Sequence, residues 1–185
     1  MLVGKRVLKY REIDSTNDEA KRLVKAGEPE GTVILAQTQS KGRGKPGRHW
    51  FSPQDQGLYL SVILKPLKNL QELDPLVLLG AEAAVAAIDA ACGIKAGIKK
   101  PNDIMIDGKK VGGVLVERID TASEVPSLVI GIGLNVNTKK FPKDLQKSAA
   151  SLRLIAGKEF DRQALFSALL QALDKGYLKF LKGSV

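Results

Sequence analysis

The sequence contains one cysteine, one histidine and few aromatic residues, and each scarcity excludes something. Cys92 has no second cysteine with which to form an internal disulfide. With His49 as the only histidine, the chain also lacks the paired thiolate and imidazole ligands of a structural zinc site. Phenylalanine, tryptophan and tyrosine together make up 5% of the residues. That is little stacking surface for a protein that binds single-stranded nucleic acid.

Long hydrophobic runs are also missing. The first residues carry no extended apolar region of the signal-peptide kind, and Glu82 and Asp89 interrupt the most apolar segment, near residues 75–92. With 185 residues, of which 44% are hydrophobic, the chain is long enough for one domain with a substantial core. We therefore expect a single domain over residues 1–185, located in the cytoplasm and without a membrane segment.

Acidic residues are the minority among the charged side chains. The chain has 20 Asp and Glu against 29 Lys and Arg, which gives a formal net charge of +9. This excess favours an anionic partner, and nucleic acid, a small anionic ligand and a negatively charged protein all satisfy it. Charge alone does not choose among the three.

One basic stretch, residues 39–53, lies where acids are absent, since no acidic residue occurs between Glu30 and Asp55. Its basic residues are separated by glycines: Lys41, Gly42, Arg43, Gly44, Lys45, Gly47 and Arg48. Glycine allows close backbone approach, so N–H groups can turn towards an anion that the basic side chains neutralise. Because Trp50, Phe51 and an apolar alternation follow, we expect an anion-binding loop attached to a core strand. A solvated basic loop is the alternative.

Strand and helix patterns alternate along the chain. Apolar alternation predicts strands near residues 5–13, 33–37, 57–65, 94–100, 109–118 and 128–137, with another from Ile104. Apolar residues one turn apart predict helices near residues 16–27 and 76–92 and after Asp161. This order indicates an α/β (α+β) domain with a mixed, largely antiparallel sheet flanked by helices.

Several local signals refine these boundaries. Thr16 with Glu19 resembles a capping box, Asp74 with Pro75 resembles a second helix start, and Gly93 marks the end of that second helix. Asp107-Gly108 predicts a two-residue hairpin turn.

Two pairs of glycines lie within predicted strands. Gly112-Gly113 indicates a bulge or a close backbone approach. Gly131 and Gly133 project from one face of their strand, so either something flat passes over that face or the sheet packs tightly there.

Five motifs stand in a specific order. They are Asp14–Asn17 (DSTN), Gly42–Ser52 (GRGKPGRHWFS), Lys99–Asp103 (KKPND), Lys110–Glu117 (KVGGVLVE) and Gly131–Asn137 (GIGLNVN). Together they resemble the motifs of the catalytic domain of biotin protein ligases, over roughly residues 8–181. The resemblance implies the fold shared by these ligases and class II aminoacyl-tRNA synthetases.

The resemblance also implies a two-step reaction. Biotin would react with ATP, accompanied by Mg²⁺, to give biotinyl-5′-AMP. A lysine of a biotin carboxyl-carrier domain would then take the biotinyl group. Biotin, ATP and the carrier domain are thus the implied partners, a homodimer is possible, and no fixed metal site in the protein is implied.

Carried over by motif, the resemblance gives roles to individual residues. Lys99 would be the main catalytic cation, and Arg43 would bridge the biotin carboxylate and the phosphate. The implied biotin site consists of Ser15, Thr16, Asn17, Gln37, Gly42, Arg43, Gly44, Lys45, Lys99, Gly113 and Leu115. The implied adenylate site consists of Arg43, Lys45, Arg48, Trp50, Asn102 and Asn135.

The motifs depart from the family pattern at two positions. Lys45 replaces an arginine of the loop, which keeps the charge but loses the bidentate geometry. Lys100 replaces the tryptophan of KWPND. At the ends, we expect neither an N-terminal helix-turn-helix for DNA binding nor a C-terminal SH3-like domain.

Two other functions fit part of the pattern. A lipoate or octanoyl ligase of the same superfamily would share the fold, but Gly42-Arg43-Gly44 with Gly47-Arg48 follows the biotin pattern. A nucleic-acid-binding module would explain the net charge, but the basic loop is local and aromatics are few.

Overall fold

The computed structural model describes residues 1–66, 72–120 and 126–183. The elements, in chain order, are β1 (Val7–Ile13), α1 (Thr16–Lys25), β2 (Val33–Gln39), β3 (Gly57–Leu64), α2 (Asp74–Cys92), β4 (Gly97–Lys99), β5 (Asp103–Ile106), β6 (Lys109–Ile119), β7 (Ser127–Asn135), α3 (Leu152–Ala156) and α4 (Arg162–Leu181). Each strand and helix predicted above is present within these residues. The short helix α3 was not predicted, and much of the polar segment 119–127 lies outside the described residues.

The seven strands form one sheet in the order β1-β2-β3-β7-β6-β5-β4. Only β1 and β2 pair in parallel, and every other neighbouring pair is antiparallel. The prediction of a mixed, largely antiparallel sheet is confirmed.

Helices α2 and α4 cover one face of this sheet. Alternate residues of β3, such as Leu60 and Val62, join Ile88 of α2 and Leu169 of α4 in the main hydrophobic core. Helix α2 is long and apolar enough to satisfy the composition of a membrane span, but a core helix has the same composition. Here α2 buries residues such as Leu76 and Ile88 within the fold.

Helix α1 covers only part of the opposite face. Ala20 and Val24 pack there in a smaller core with Ile34, Ile63 and Val129. Because α1 is short, it leaves the centre of this face, over β3, β7 and β6, open to the basic loop.

The helix boundaries show two differences from the capping predictions. Ser15, and not Thr16, is the N-cap of α1, and its Oγ accepts from the Asp18 N–H. Thr16 is the first helical residue and its side chain is buried. At α2 the N-cap is Leu73, which makes no side-chain capping bond, so Asp74 already belongs to the helix.

The other boundary signals agree with the sequence. Gly93 ends α2 in the left-handed conformation, with φ at 68°. Asp161 caps α4 by accepting from the N–H groups of Gln163 and Ala164. Asp107 and Gly108 both have positive φ, as the type I′ turn between β5 and β6 requires.

Candidate functional site

A cavity of about 380 Å³ lies on the open face of the sheet. The N-terminus of α1, the basic loop, and strands β6 and β7 supply most of its lining, and the segment that follows β7 supplies Phe141, Leu145 and Ser148. The hydrophobic floor is therefore the sheet itself, and the walls come from loops and a helix end.

Glycines create the depression in the sheet. In the register of the central strands, Gly133 lies opposite Gly113 of β6 and Tyr59 of β3. A Cβ atom added at Gly133 would lie 2.5 Å from atoms of the Trp50 indole, and one at Gly131 would lie 2.1 Å from Asn17 Oδ1. The flat group expected over these glycines is thus, at Gly133, the indole of the chain's own tryptophan.

The basic loop closes on itself as a small hairpin. The backbone N–H of Trp50 donates to the Gly42 carbonyl, and the backbone N–H of Gly44 donates to the Arg48 carbonyl. Gly42 is buried at the base of this hairpin, where a Cβ atom would lie 2.4 Å from the Trp50 carbonyl oxygen. This geometry places Trp50 on the sheet while Lys45 and Arg48 remain exposed at the rim.

A chain of polar side chains forms the wall at the start of α1. Gln39 Oε1 accepts from the Thr16 backbone N–H and lies 3.1 Å from the Thr16 hydroxyl oxygen, and Gln39 Nε2 donates to Ser52 Oγ. Ser61 Oγ lies 2.8 Å from Thr16 Oγ1 and 2.6 Å from Asn17 Oδ1. Thr16, Asn17 and Ser61 are all buried, so these bonds hold the wall in one arrangement.

The start of α1 is also anchored from outside. The Arg22 guanidinium donates to both carboxylate oxygens of Asp14. These bonds lower the pKa of Asp14 to about 2. Asp14 therefore stays ionised at neutral pH and keeps the turn before Ser15 in place.

Arg43 is held by two carboxylates. Its Nη1 donates to Asp18 (2.6 Å) and its Nη2 donates to Glu117 (2.9 Å), which also accepts from Lys21 and Asn17. A guanidinium has five N–H donors, so these two bonds leave others for a ligand. Arg43 thus lines the cavity in an orientation that the protein has already set.

Lys110 is a second cation in the cavity, and a β-bulge brings it there. The pairing of β5 with β6 passes from Ile104–Gly112 to Met105–Lys110, so β6 carries one extra residue. In a regular strand, Lys110 and Gly113 would project from opposite faces, and the extra residue puts them on the same face. Lys110 Nζ lies 2.6 Å from Asp103 and 5.4 Å from the centroid of the Trp50 ring.

The structure brings most of the residues predicted from the motifs into this cavity. Those that line it are Ser15, Thr16, Asn17, Arg43, Gly44, Lys45, Arg48, Trp50, Asn102, Gly113, Leu115 and Asn135. The amides of Asn102 and Asn135 also donate to the carbonyls of Val114 and Ala150. They therefore stabilise neighbouring backbone as well as facing the cavity.

Three of the predicted site residues, Gly42, Lys99 and Gln37, do not line the cavity. Gly42 is buried at the base of the loop hairpin. Lys99 pairs with Asp103, and Asp103 with Gly113, so Lys99 lies two strands, or about 10 Å, from Gly113 at the exposed edge of the sheet. Gln37 is exposed. Strand β2 continues to Gln39, and Gln39 is the glutamine that contacts Thr16.

The sequence interpretation missed several residues that line the cavity, among them Gln39, Lys110 and, from the segment that follows β7, Phe141, Leu145 and Ser148. Gln39 stands two residues beyond the predicted strand end, and Lys110 opens the KVGGVLVE motif that was quoted for its glycines. The glycine pair after Lys110 could have indicated its position. A bulge at these glycines turns the side chains of the preceding residues to the opposite face of the sheet.

Two further observations concern the cysteine and possible metal ligands. Burial raises the pKa of the Cys92 thiol, which keeps it a poor nucleophile at neutral pH. Among residues 1–66, 72–120 and 126–183, no group of three or more His, Cys, Asp or Glu side chains is arranged to hold a metal ion.

Comparison with known proteins shows clear relatives. The model of the biotin/lipoate A/B protein ligase family matches residues 10–135. The bifunctional ligase/repressor BirA of Bacillus subtilis is 38% identical over 182 residues, covering 97% of this chain and 56% of the relative. The biotin–[acetyl-CoA-carboxylase] ligase of Mycobacterium tuberculosis is 31% identical over 165 residues, covering 86% of this chain and 59% of the relative. The chain thus spans little more than half the length of these relatives.

Solved structures show the same relationship. The biotin protein ligase from Aquifex aeolicus in complex with biotin and ATP matches with a TM-score of 0.85 and 34% identity, covering 97% of this chain and 73% of that one. The Leishmania major biotin protein ligase in complex with biotinyl-5-AMP matches with a TM-score of 0.75 and 27% identity, covering 97% and 79%. Fold, motif order and sequence identity agree, and the chain belongs to the biotin/lipoate A/B protein ligase family.

Proposed function

We propose that this protein is a biotin protein ligase. It forms biotinyl-5′-AMP from biotin and ATP and transfers the biotinyl group to a lysine of a biotin carboxyl-carrier domain. The observation that carries the proposal is the convergence of Arg43, Lys45, Arg48 and Lys110 on one cavity with a polar wall at Ser15 and Thr16. The relatives support it, since the Mycobacterium tuberculosis protein is named as a biotin–[acetyl-CoA-carboxylase] ligase and the Aquifex aeolicus structure holds biotin and ATP.

The cations address the difficulty of the first step. A carboxylate and an α-phosphate repel each other, and the new bond forms only when that repulsion is offset in a site that excludes water. Arg43 and Lys110 line the same cavity, so one site can hold both anions and avoid the entropic cost of their meeting in solution.

The two ends of the cavity suit the two substrates. Ser15 and Thr16 would bind the ureido ring of biotin, with Gly113 and Leu115 beside its apolar part. Trp50, Asn102 and Asn135 would surround the adenylate. Lys45 and Arg48, exposed on the loop hairpin, would cover the intermediate. Mg²⁺ would enter with ATP and offset the charge of the phosphates.

We assign the main catalytic cation to Lys110. It lines the cavity next to Gly113, whereas Lys99 lies at the exposed sheet edge. Asp103 holds the Lys110 ammonium at 2.6 Å, which orients it before the substrates bind. The acceptor, from the resemblance, is a carrier domain of a biotin-dependent carboxylase, and the proposed location is the cytoplasm.

The test uses the purified chain with ATP, Mg²⁺ and a carrier domain. With biotin, we expect release of pyrophosphate and a biotinylated carrier lysine. With lipoate in place of biotin, we expect neither product. Lipoylation of the carrier without biotinylation would assign the chain to the lipoate branch of the family.

Replacing Arg43 with alanine should weaken both biotin and ATP binding by roughly 10-fold, since a charge-assisted hydrogen bond is lost to each substrate. Isothermal titration calorimetry measures both affinities. Arg6→Ala is the matched control, because Arg6 is 59% exposed and pairs with Glu28 outside the cavity. Equal affinities for the Arg43 variant and the wild type would remove Arg43 from the site.

A further inference from the structure

Ser61 is a buried polar residue beneath the cavity wall. It lies on β3, is 0% exposed and does not itself line the cavity. Its Oγ contacts two residues that do, Asn17 Oδ1 at 2.6 Å and Thr16 Oγ1 at 2.8 Å. Because Ser61 cannot touch a ligand, its effect must pass through these neighbours.

The neighbouring amides cannot supply protons to these contacts. Asn17 Nδ2 donates to the Glu117 carboxylate, which only accepts, so the Asn17 oxygen faces Ser61. Gln39 Oε1 accepts from the Thr16 backbone N–H, so the Gln39 oxygen faces Thr16. The amide orientations of Asn17 and Gln39 are thus set by a carboxylate that can only accept and by a backbone N–H that can only donate.

Only two hydroxyl protons remain for three contacts. These contacts are Ser61 to Asn17 at 2.6 Å, Ser61 to Thr16 at 2.8 Å and Thr16 to Gln39 at 3.1 Å. The two shortest are both satisfied when Ser61 donates to Asn17 and Thr16 donates to Ser61. The other assignments that use both protons in these contacts send the Thr16 proton to Gln39. The first assignment leaves only the longest of the three contacts, Thr16 to Gln39, without a proton.

The wall therefore offers the cavity two different polar groups. Thr16 Oγ1 presents lone pairs and acts as an acceptor. Ser15 Oγ accepts from the Asp18 N–H, and no hydrogen bond among the described residues takes its proton, so Ser15 acts as a donor. An adjacent acceptor and donor match a cyclic urea, in which an N–H stands next to a carbonyl.

We propose that Ser61 is a positioning residue for substrate selection. In the assignment that satisfies the two shortest contacts, Ser61 takes the Thr16 proton. Thr16 is then an acceptor that selects ligands with a ring N–H over isosteric ligands without one. Ser61 is held in this role by Asn17, which Glu117 in turn orients. This inference rests on the proposed function, since it takes the ureido ring of biotin to bind at Thr16.

The test compares two ligands in the wild type and in Ser61→Ala. One ligand is biotin, and the other is its cyclic-carbonate analogue, in which ring oxygens replace both ureido N–H groups. In Ser61→Ala, Thr16 loses its shortest proton acceptor and keeps only the 3.1 Å contact with Gln39 Oε1, so its proton can rotate towards the ligand. We expect the Kd for biotin to rise roughly 10-fold, the value of one hydrogen bond, while the Kd for the analogue stays constant or falls. Calorimetry measures both.

Thr32→Val is the control for loss of a buried hydroxyl. Thr32 is 1% exposed and bonds Glu28 away from the cavity, so neither Kd should change. An equal loss of affinity for both ligands in Ser61→Ala, or no loss for biotin, would overturn the inference and leave the function intact. Failure of the wild type to bind biotin would overturn the proposed function and this inference with it.

Discussion

Replacing Lys110 with alanine should lower the rate of adenylate formation about 100-fold or more, while the affinity for biotin changes little. Removal of a single group that stabilises developing charge typically has an effect of this size. The ammonium acts on charge that develops as the carboxylate meets the α-phosphate, so its loss falls mainly on the chemical step. Biotin-dependent exchange of pyrophosphate into ATP measures that step, and calorimetry measures binding.

Two other lysines provide controls for this variant. Lys109 precedes Lys110 but is exposed and does not line the cavity, so Lys109→Ala should exchange pyrophosphate at the wild-type rate. Lys99→Ala tests the role that the motif assigned to Lys99, and its position at the sheet edge predicts a much smaller loss. A larger loss for Lys99→Ala than for Lys110→Ala would return the catalytic role to Lys99.

Replacing Gly133 with valine should abolish measurable biotin binding. The added Cβ would lie 2.5 Å from the Trp50 indole, and the branched side chain would occupy the floor of the cavity. Valine suits a strand, so the sheet should persist while Trp50 is displaced. Because Trp50 is the only tryptophan, its fluorescence reports the displacement directly, and calorimetry reports the lost affinity.

Gly97→Val is the matched control for the substitution at Gly133. Gly97 also lies in a strand, and a Cβ atom added there would meet nothing within 4 Å. This variant should bind biotin as the wild type does, with unchanged fluorescence. Normal biotin binding by Gly133→Val would show that the substrate does not use the floor formed by Gly133 and Trp50.

Short-range patterns were enough to predict most of the secondary structure. The alternation in residues 57–65, the turn at Asp107-Gly108 and the stop at Gly93 each depend on residues close in sequence. The errors at Thr16 and Asp74 were shifts of one residue, because neighbouring polar side chains compete for the same capping position. Helix α3 is only five residues long, too short for a clear apolar period.

The cavity was predictable in part, since its motifs are local and their order is specific. Gln37 was chosen over Gln39 because strand ends are difficult to place from sequence. Lys110 was missed because its direction depends on a bulge, and the bulge exists only in the pairing of β6 with β5. Ser61 carries no motif, and its role depends on contacts with residues more than 40 positions away.

The sequence by itself determined the class of fold, the basic and glycine-rich character of the loop and the family, because these depend on composition, periodicity and local motifs. The tertiary structure decided which cation enters the cavity, where the tryptophan lies and which polar groups surround the Thr16 hydroxyl. Strand register and a single extra residue in β6 set these positions, and both result from pairing between segments that are distant along the chain.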